Sequence, residues 1–248
     1  MQRILDIDLD FFVQHVVYFP PNDGTRPAVD EYPVWSIDAV LEFLHERCAL
    51  RGPLPGVIAE RHHEVFHAWR DLIEAGHLQP PFSVTHVDAR ADLGLGDVGY
   101  IHLMEDILHR PVHERTRPDV GEQGLSEGNW LPFAIACRWP SELTFVFNDD
   151  RRSDVFVHHL ENNDPEARNI QLKAVPKGEI SRRHFELDRV EIVAREPLVP
   201  YREVLWSDFQ TVEPYDFICL CRSPDYAPTS ADAIYDEVQR RFVMPART

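Results

Sequence analysis

Five aspartates and a pair of histidines are the residues in this chain whose types and spacing point to chemistry. Asp6, Asp8 and Asp10 alternate with Ile7 and Leu9, Asp88 and Asp92 follow the apolar run that ends in His86-Val87, and His62-His63 opens a further segment. Carboxylates at alternate positions of a strand point the same way. Asp8 and Asp10 therefore face one site, with Asp6 beside them or buried behind them. Converging carboxylates repel one another strongly where the dielectric is low, so a cation must hold them. Oxygen donors suit Mg²⁺ or Mn²⁺, and an added imidazole favours Mn²⁺ or another transition metal. His62 and His63 are the candidate imidazoles. His86, two residues before Asp88 and on the same face, is a candidate outer partner of a ligand. The expected chemistry is metal-assisted hydrolysis.

These residues need elements that bring them together. Ile4, Leu5, Ile7 and Leu9 predict a strand over residues 2–10, and Pro20-Pro21-Asn22-Asp23-Gly24 predicts a loop. Ser36 is placed to cap a helix with Ile37, Val40, Leu41 and Leu44 on one face. Gly52-Pro53-Leu54-Pro55-Gly56 ends that unit, and Val57-Ile58-Ala59 reads as a short strand. A helix is predicted over 62–75, with Val65, Trp69, Leu72 and Ile73 as its stripe and Gly76 as its stop. A buried strand over 82–87 then delivers Asp88 and Asp92.

Residues 93–124 read as irregular, apart from a short helix over 102–108. Ser126-Glu127-Gly128-Asn129 precedes an apolar helix over 130–139, whose first turn tolerates Pro132. Strands are predicted over 143–147, 190–194 and 217–221, and a final amphipathic helix over 230–242. Residues 148–185 are polar and carry no clear periodicity. Strands alternating with helices predict an α/β fold with a mainly parallel sheet covered on both faces. In such a sheet ligands bind beyond the carboxyl ends of the strands, which is where both acidic motifs fall. With no repeat, low-complexity tract or linker, the 248 residues read as a single domain.

Charge and composition narrow the partners. The net charge is −17, from 42 acidic and 25 basic residues. That argues against nucleic acid, which is held by basic patches, and suits a cationic ligand. No apolar run is long enough to span a membrane. The N-terminus opens into a strand with no signal-peptide pattern, so a cytoplasmic protein is expected. Cys48, Cys137, Cys219 and Cys221 lack zinc-site spacing and are expected to be buried free thiols.

Simpler roles compete at several positions. A lone Asp-x-Asp often marks only a solvated turn, but two acidic motifs and a histidine pair at three strand ends favour a metal site. The remaining histidines (among them His102, His109, His113, His158 and His159) read as surface or core residues, with the His-rich segment after Gly99 a candidate proton relay. Glu127 and Asn129 are either helix caps or substrate contacts, and Trp130 reads as core.

Four strings taken together resemble the ureohydrolases, the arginase–agmatinase fold, and within it most closely the UPF0489 branch that includes bacterial peptide arginases. They are Asp6-Ile7-Asp8-Leu9-Asp10-Phe11-Phe12, His62-His63-Glu64-Val65, His86-Val87-Asp88-Ala89-Arg90-Ala91-Asp92-Leu93-Gly94 and Ser126-Glu127-Gly128-Asn129-Trp130. The closing Arg222-Ser223-Pro224-Asp225-Tyr226-Ala227-Pro228 fits as well, so the resemblance runs from residue 4 to about residue 230. It implies an arginase/deacetylase-like three-layer fold. It also implies a two-Mn²⁺ site and hydrolysis of arginine side chains in a ribosomally made precursor peptide to ornithine and urea. By motif position His62 and Asp92 bind one Mn²⁺, Asp10 binds the other, and Asp8 and Asp88 are shared. Asp88 and Glu127 are the implied catalytic carboxylates, with Ser126 and Asn129 beside Glu127 at the substrate. The Asp-x-Asp strand comes first here, unlike in ordinary arginases, which implies a circular permutation of the same sheet.

The chain departs from the pattern at Arg90, where the family carries a histidine ligand of the second Mn²⁺. A guanidinium has five donors, no acceptor and a permanent charge, so it cannot ligate. The departure implies that the second metal is weak or absent, or that the Arg90 guanidinium takes its place against Asp10 and Asp88. Activity is then expected to be impaired. The rival readings are a single-metal or non-catalytic peptide-binding relative, a deacetylase of the related fold, and a Mg²⁺ phosphatase of the haloacid dehalogenase type. The last of these fits poorly, since Lys173 and Lys177 are the only lysines.

Overall fold

The computed structural model describes residues 1–21, 23–94, 97–150 and 154–246. Asn22, in the predicted loop over 20–24, lies outside the described residues, as do residues 151–153 in the polar stretch. Ten strands run β1 (Arg3–Asp8), β2 (Leu54–Ala59), β3 (Phe82–Val87), β4 (Pro140–Phe147), β5 (Asn169–Ile170), β6 (Lys173–Ala174), β7 (Ala194–Arg195), β8 (Val199–Leu205), β9 (Phe217–Cys221) and β10 (Val243–Pro245). The helices are α1 (Ile37–Glu42), α2 (Glu64–Glu74), α3 (Gly99–Glu105), α4 (Trp130–Ala136), α5 (Glu179–Arg182) and α6 (Asp232–Phe242). Eight strands form a mainly parallel sheet in the order β10-β2-β9-β1-β3-β4-β8-β5, and β6 pairs with β7 separately. A mixed α/β fold was the expectation, and at that level it is what the chain adopts. Among the described residues no helix is long and apolar enough to cross a membrane.

The chain divides into two compact units. The first comprises residues 1–90, 144–152 and 203–248. At its centre β1 pairs in parallel with β3 on one side and β9 on the other, and β2 pairs in parallel with both β9 and β10. β9 reads as a continuous apolar run because both faces of a parallel sheet are covered, and β1 departs from that pattern at Asp6 and Asp8. Leu5, Ile7, Ile218 and Leu220 are fully buried. Phe11, Phe12, Trp35, Phe43 and Trp206 form an aromatic group with ring centroids 4.9–6.4 Å apart. α6 adds Ile234, Tyr235, Val238 and Phe242 to the same core.

Several local predictions of this unit hold, and the first strand is corrected. The Ser36 side chain accepts the Ala39 N–H as an N-cap, Gly76 takes a left-handed φ of 77° after α2, and β3 and β9 have the predicted bounds. The strand predicted over 2–10 ends at Asp8, and Leu9–Phe12 forms a 3-10 turn. Two features end it. The Asp8 carboxylate accepts the Asp10 N–H at 3.3 Å, competing with the sheet ladder. The successive Phe11 and Phe12 also both sink into the aromatic group, whereas a strand would send them to opposite faces.

The second unit comprises residues 91–143 and 153–202. It carries α3, α4 and α5 and a small core of Met104, Val175, Ile180 and Val190. Buried Arg115 ties its loops by donating to the carbonyls of Arg110, Ala136 and Leu108, and pairs with Glu196 at 2.9 Å. The strand expected over 190–194 is not formed, because this segment uses Val190 alone to fill the small core and leaves Val193 half exposed. Ala194–Arg195 pairs with Lys173–Ala174, and the Val193 N–H donates to the Ala174 carbonyl at 3.0 Å.

Candidate metal centre

Three parallel strands of the first unit deliver the site. β1 places Asp6 and Asp8 two residues apart, hence on one face. The register of β1 against β3 sets Asp6 beside His86. Asp88 follows β3 directly, and its N–H donates to the Val146 carbonyl at 3.2 Å. β2 runs out at Ala59, and the turn that follows it places His62 just before α2, where the Val65 N–H donates to the His62 carbonyl. His62, Asp6, Asp8, Asp88 and His86 are each at most 1% exposed.

The hydrogen-bond geometry orders these groups. Asp6 Oδ2 lies 3.1 Å from His62 Nε2 and 2.7 Å from His86 Nδ1. A carboxylate only accepts, so both of those ring nitrogens carry hydrogen. In the neutral ring, His62 Nδ1 then presents a lone pair. It faces Asp8 Oδ2 at 3.0 Å and Asp88 Oδ2 at 3.1 Å. The two rings stack with centroids 5.2 Å apart. Ser223, on the closing string after β9, donates its hydroxyl to Asp8 Oδ2 at 2.6 Å.

Burial alone would push the Asp6 carboxyl up, but His62 and His86 hold it at about 2. Asp8 is likewise raised by burial and brought below its usual range by His62, Arg90 and Ser223. Burial depresses His62, and Asp6 and Asp8 reverse this and drive it well above an ordinary histidine. The raised His62 reports the negative charge of Asp6 and Asp8, and the lowered carboxyls report the imidazoles, guanidinium and hydroxyl beside them.

Within this unit two sets of three donors are close enough to share one ion: Asp6, His62 and His86, and Asp8, His62 and Asp88. The second set fits a divalent metal better. It supplies two carboxylates rather than one, and its imidazole presents the lone pair. A ring nitrogen holds at most one hydrogen, yet His62 Nδ1 faces two carboxylate oxygens, an arrangement that a cation between them satisfies. Asp6 then acts as the outer carboxylate that fixes the ring orientation and tautomer of His62. Two oxygens and one imidazole nitrogen suit Mn²⁺ or a similar transition ion.

Asp10 and Arg90 stand together apart from this set. Arg90 Nη2 lies 3.0 Å from Asp10 Oδ2, and the Arg90 side chain is 14% exposed. Its guanidinium carbon sits 3.5 Å from the centre of the Tyr226 ring. The Ala89 N–H approaches Asp10 Oδ1 at 3.5 Å, and the Arg90 N–H donates to Asp88 Oδ1 at 2.9 Å. His63, the other half of the histidine pair, belongs to none of the donor sets among the described residues.

The remaining sequence-derived residues lie in the second unit. Asp92 is 2% exposed, holds a left-handed φ of 50°, and accepts the Trp130 indole N–H at 2.7 Å. Ser126 N–H donates to Asn129 Oδ1 at 2.7 Å, and Asn129 Nδ2 donates to Asp97 Oδ1 and to the Gly124 carbonyl, both at 2.8 Å. The Ser126 hydroxyl also bonds Asp97 Oδ2. Ser126 and Asn129 thus shape the turn that starts α4. Glu127 is half-buried in the short 3-10 turn before it. The histidines after Gly99 have partners of their own: His109 bonds the Val175 carbonyl at 2.7 Å and His102 lies 3.3 Å from Asp106, while His113 is exposed. His159 is core, its Nδ1 donating to the Leu93 carbonyl at 3.0 Å, and burial depresses it to about 3.

All four cysteines are free and buried. Burial pushes Cys219 and Cys221 well up, helped by Asp6 and Asp8 respectively, so neither is a thiolate nucleophile. Compared with protein-family models, curated proteins and solved structures, the chain matches none.

Proposed function

We propose that this chain is a manganese-dependent hydrolase of the arginase type, acting on arginine side chains of a ribosomally made precursor peptide to give ornithine and urea. We place it on an arginase/deacetylase-like three-layer fold, circularly permuted relative to ordinary arginases. One observation supports the metal-hydrolase part above all: buried His62 Nδ1 lies 3.0 Å from Asp8 Oδ2 and 3.1 Å from Asp88 Oδ2, at and just beyond the ends of three parallel strands. The choice of a guanidine over an amide or phosphate rests on the resemblance of the motifs.

Bound in that place, a divalent ion supplies Lewis acidity and lowers the pKa of water. The chain's own part is to hold and orient. Asp8 and Asp88 neutralise the ion, Asp6 keeps the His62 Nε2 protonated, and Ser223 steadies Asp8. The role of Asp92 as a ligand rests on the spacing of its acidic motif and on the resemblance; that of Glu127 as the acid that pairs with a guanidinium, with Ser126 and Asn129 at the substrate, rests on the resemblance. The excess of acidic residues suits a cationic peptide and disfavours nucleic acid. Four buried free thiols support a reducing compartment, the cytoplasm.

The Arg90–Asp10 ion pair favours one second reading, a single-metal relative that binds such peptides without cleaving them. Incubation with Mn²⁺ and arginine-containing peptides, followed by mass spectrometry and urea detection, separates the two. Hydrolysis gives the mass loss of arginine to ornithine with urea released, and free arginine stays intact. Peptides that remain unchanged by metal-loaded protein contradict the enzyme and favour the binder.

A further inference from the structure

We propose that the Arg90 guanidinium is a built-in cation standing where a second metal would otherwise sit, so that the centre takes one divalent transition ion per chain. The inference rests on the reading of this site as a metal centre and extends it to the metal count.

Several contacts hold Arg90 in place. Its Nη2 pairs with Asp10 Oδ2 at 3.0 Å, its guanidinium face lies 3.5 Å from the Tyr226 ring centre, and its Nη1 donates to the Val17 carbonyl at 3.4 Å. Each uses what a guanidinium offers: charge, a flat face and a fork of donors. Tyr226 and Ser223 come from the same closing string, Tyr226 beneath Arg90 and Ser223 on Asp8, so one loop serves both cationic positions.

Asp10 is committed accordingly. Among the described residues it belongs to no set of donors close enough to share an ion, whereas Asp8 and Asp88 do. Charge points the same way. Asp6, Asp8, Asp10 and Asp88 are four buried carboxylates. One divalent ion plus Arg90 supplies three positive charges against their four, and a second ion would overshoot them and sit beside a permanent positive charge at low dielectric.

Metal counting tests this without any substrate. The full chain is stripped with chelator, titrated with Mn²⁺ and read by native mass spectrometry and by electron paramagnetic resonance. One ion per chain is expected, with no exchange-coupled pair in the spectrum. Arg90→His is expected to raise the count to two, because it supplies an imidazole acceptor and frees Asp10. Asp10→Asn is expected to keep the count at one, while Asp8→Asn loses the ion. Circular dichroism checks that the variants fold, and the wild-type count stands even if one does not. Two ions in the wild type, or one ion in folded Arg90→His, overturns the proposal while leaving the metal-hydrolase reading intact. No ion at all overturns both.

Discussion

Asp6 carries an unusual load for a side chain with no exposure. It receives hydrogen from both His62 and His86, and so decides which nitrogen of His62 faces Asp8 and Asp88. Asp6→Asn keeps the shape but replaces a charged acceptor with a neutral amide. Loss of such an outer partner costs about 10–100-fold in metal affinity, and Mn²⁺ titration calorimetry on Asp6→Asn is expected to show that drop. An unchanged affinity contradicts the orienting role. Asp8, Asp88 and His62 were legible in the sequence because residue type, spacing and strand ends all agreed. The part played by Asp6 was not, nor was its link to His86, because it depends on the register between β1 and β3, two strands far apart in the chain. The Trp130 indole on Asp92 was hidden for the same reason: the core reading of Trp130 is right about burial and silent about its N–H.

At the scale of elements, β2 is the strand whose placement matters most to the site, since His62 follows it. A Cβ added to Gly56 would lie 2.4 Å from the Ile218 carbonyl and 2.6 Å from Ile218 Cγ2, so β2 approaches β9 closely only because position 56 has no side chain. Gly56→Ala must push the strands apart or distort them. Overpacking of this kind costs about 1–3 kcal/mol, expected as a lowered denaturation midpoint together with weaker Mn²⁺ binding. Gly52→Ala, with nothing within 4 Å, is the control and is expected to stay within about 0.5 kcal/mol of wild type. A Gly56→Ala protein as stable as the control refutes the close-approach argument. Element by element, the continuous apolar run of β9 could be read directly, because a strand covered on both faces leaves little polar interruption. β8 escaped notice because Arg202 and Glu203 interrupt its apolar pattern, and half of it is exposed. The segment over 52–56 looked like a terminator, yet its Leu54, Pro55 and Gly56 form the first half of β2 and pair in parallel with β10.

At the scale of the whole molecule, an acidic chain folds around a mainly parallel sheet and brings carboxylates and imidazoles together at its strand ends, where they could hold a metal ion. The buried set of Asp8, His62 and Asp88, with Arg90 held against Asp10 beside it, is the core of the account. Anomalous diffraction from crystals grown with Mn²⁺ tests it most directly. The expected result is one peak per chain, bounded by His62 Nδ1, Asp8 Oδ2 and Asp88 Oδ2, with Arg90 still on Asp10. A peak enclosed instead by Asp6, His62 Nε2 and His86 Nδ1, or no peak at either place, contradicts it.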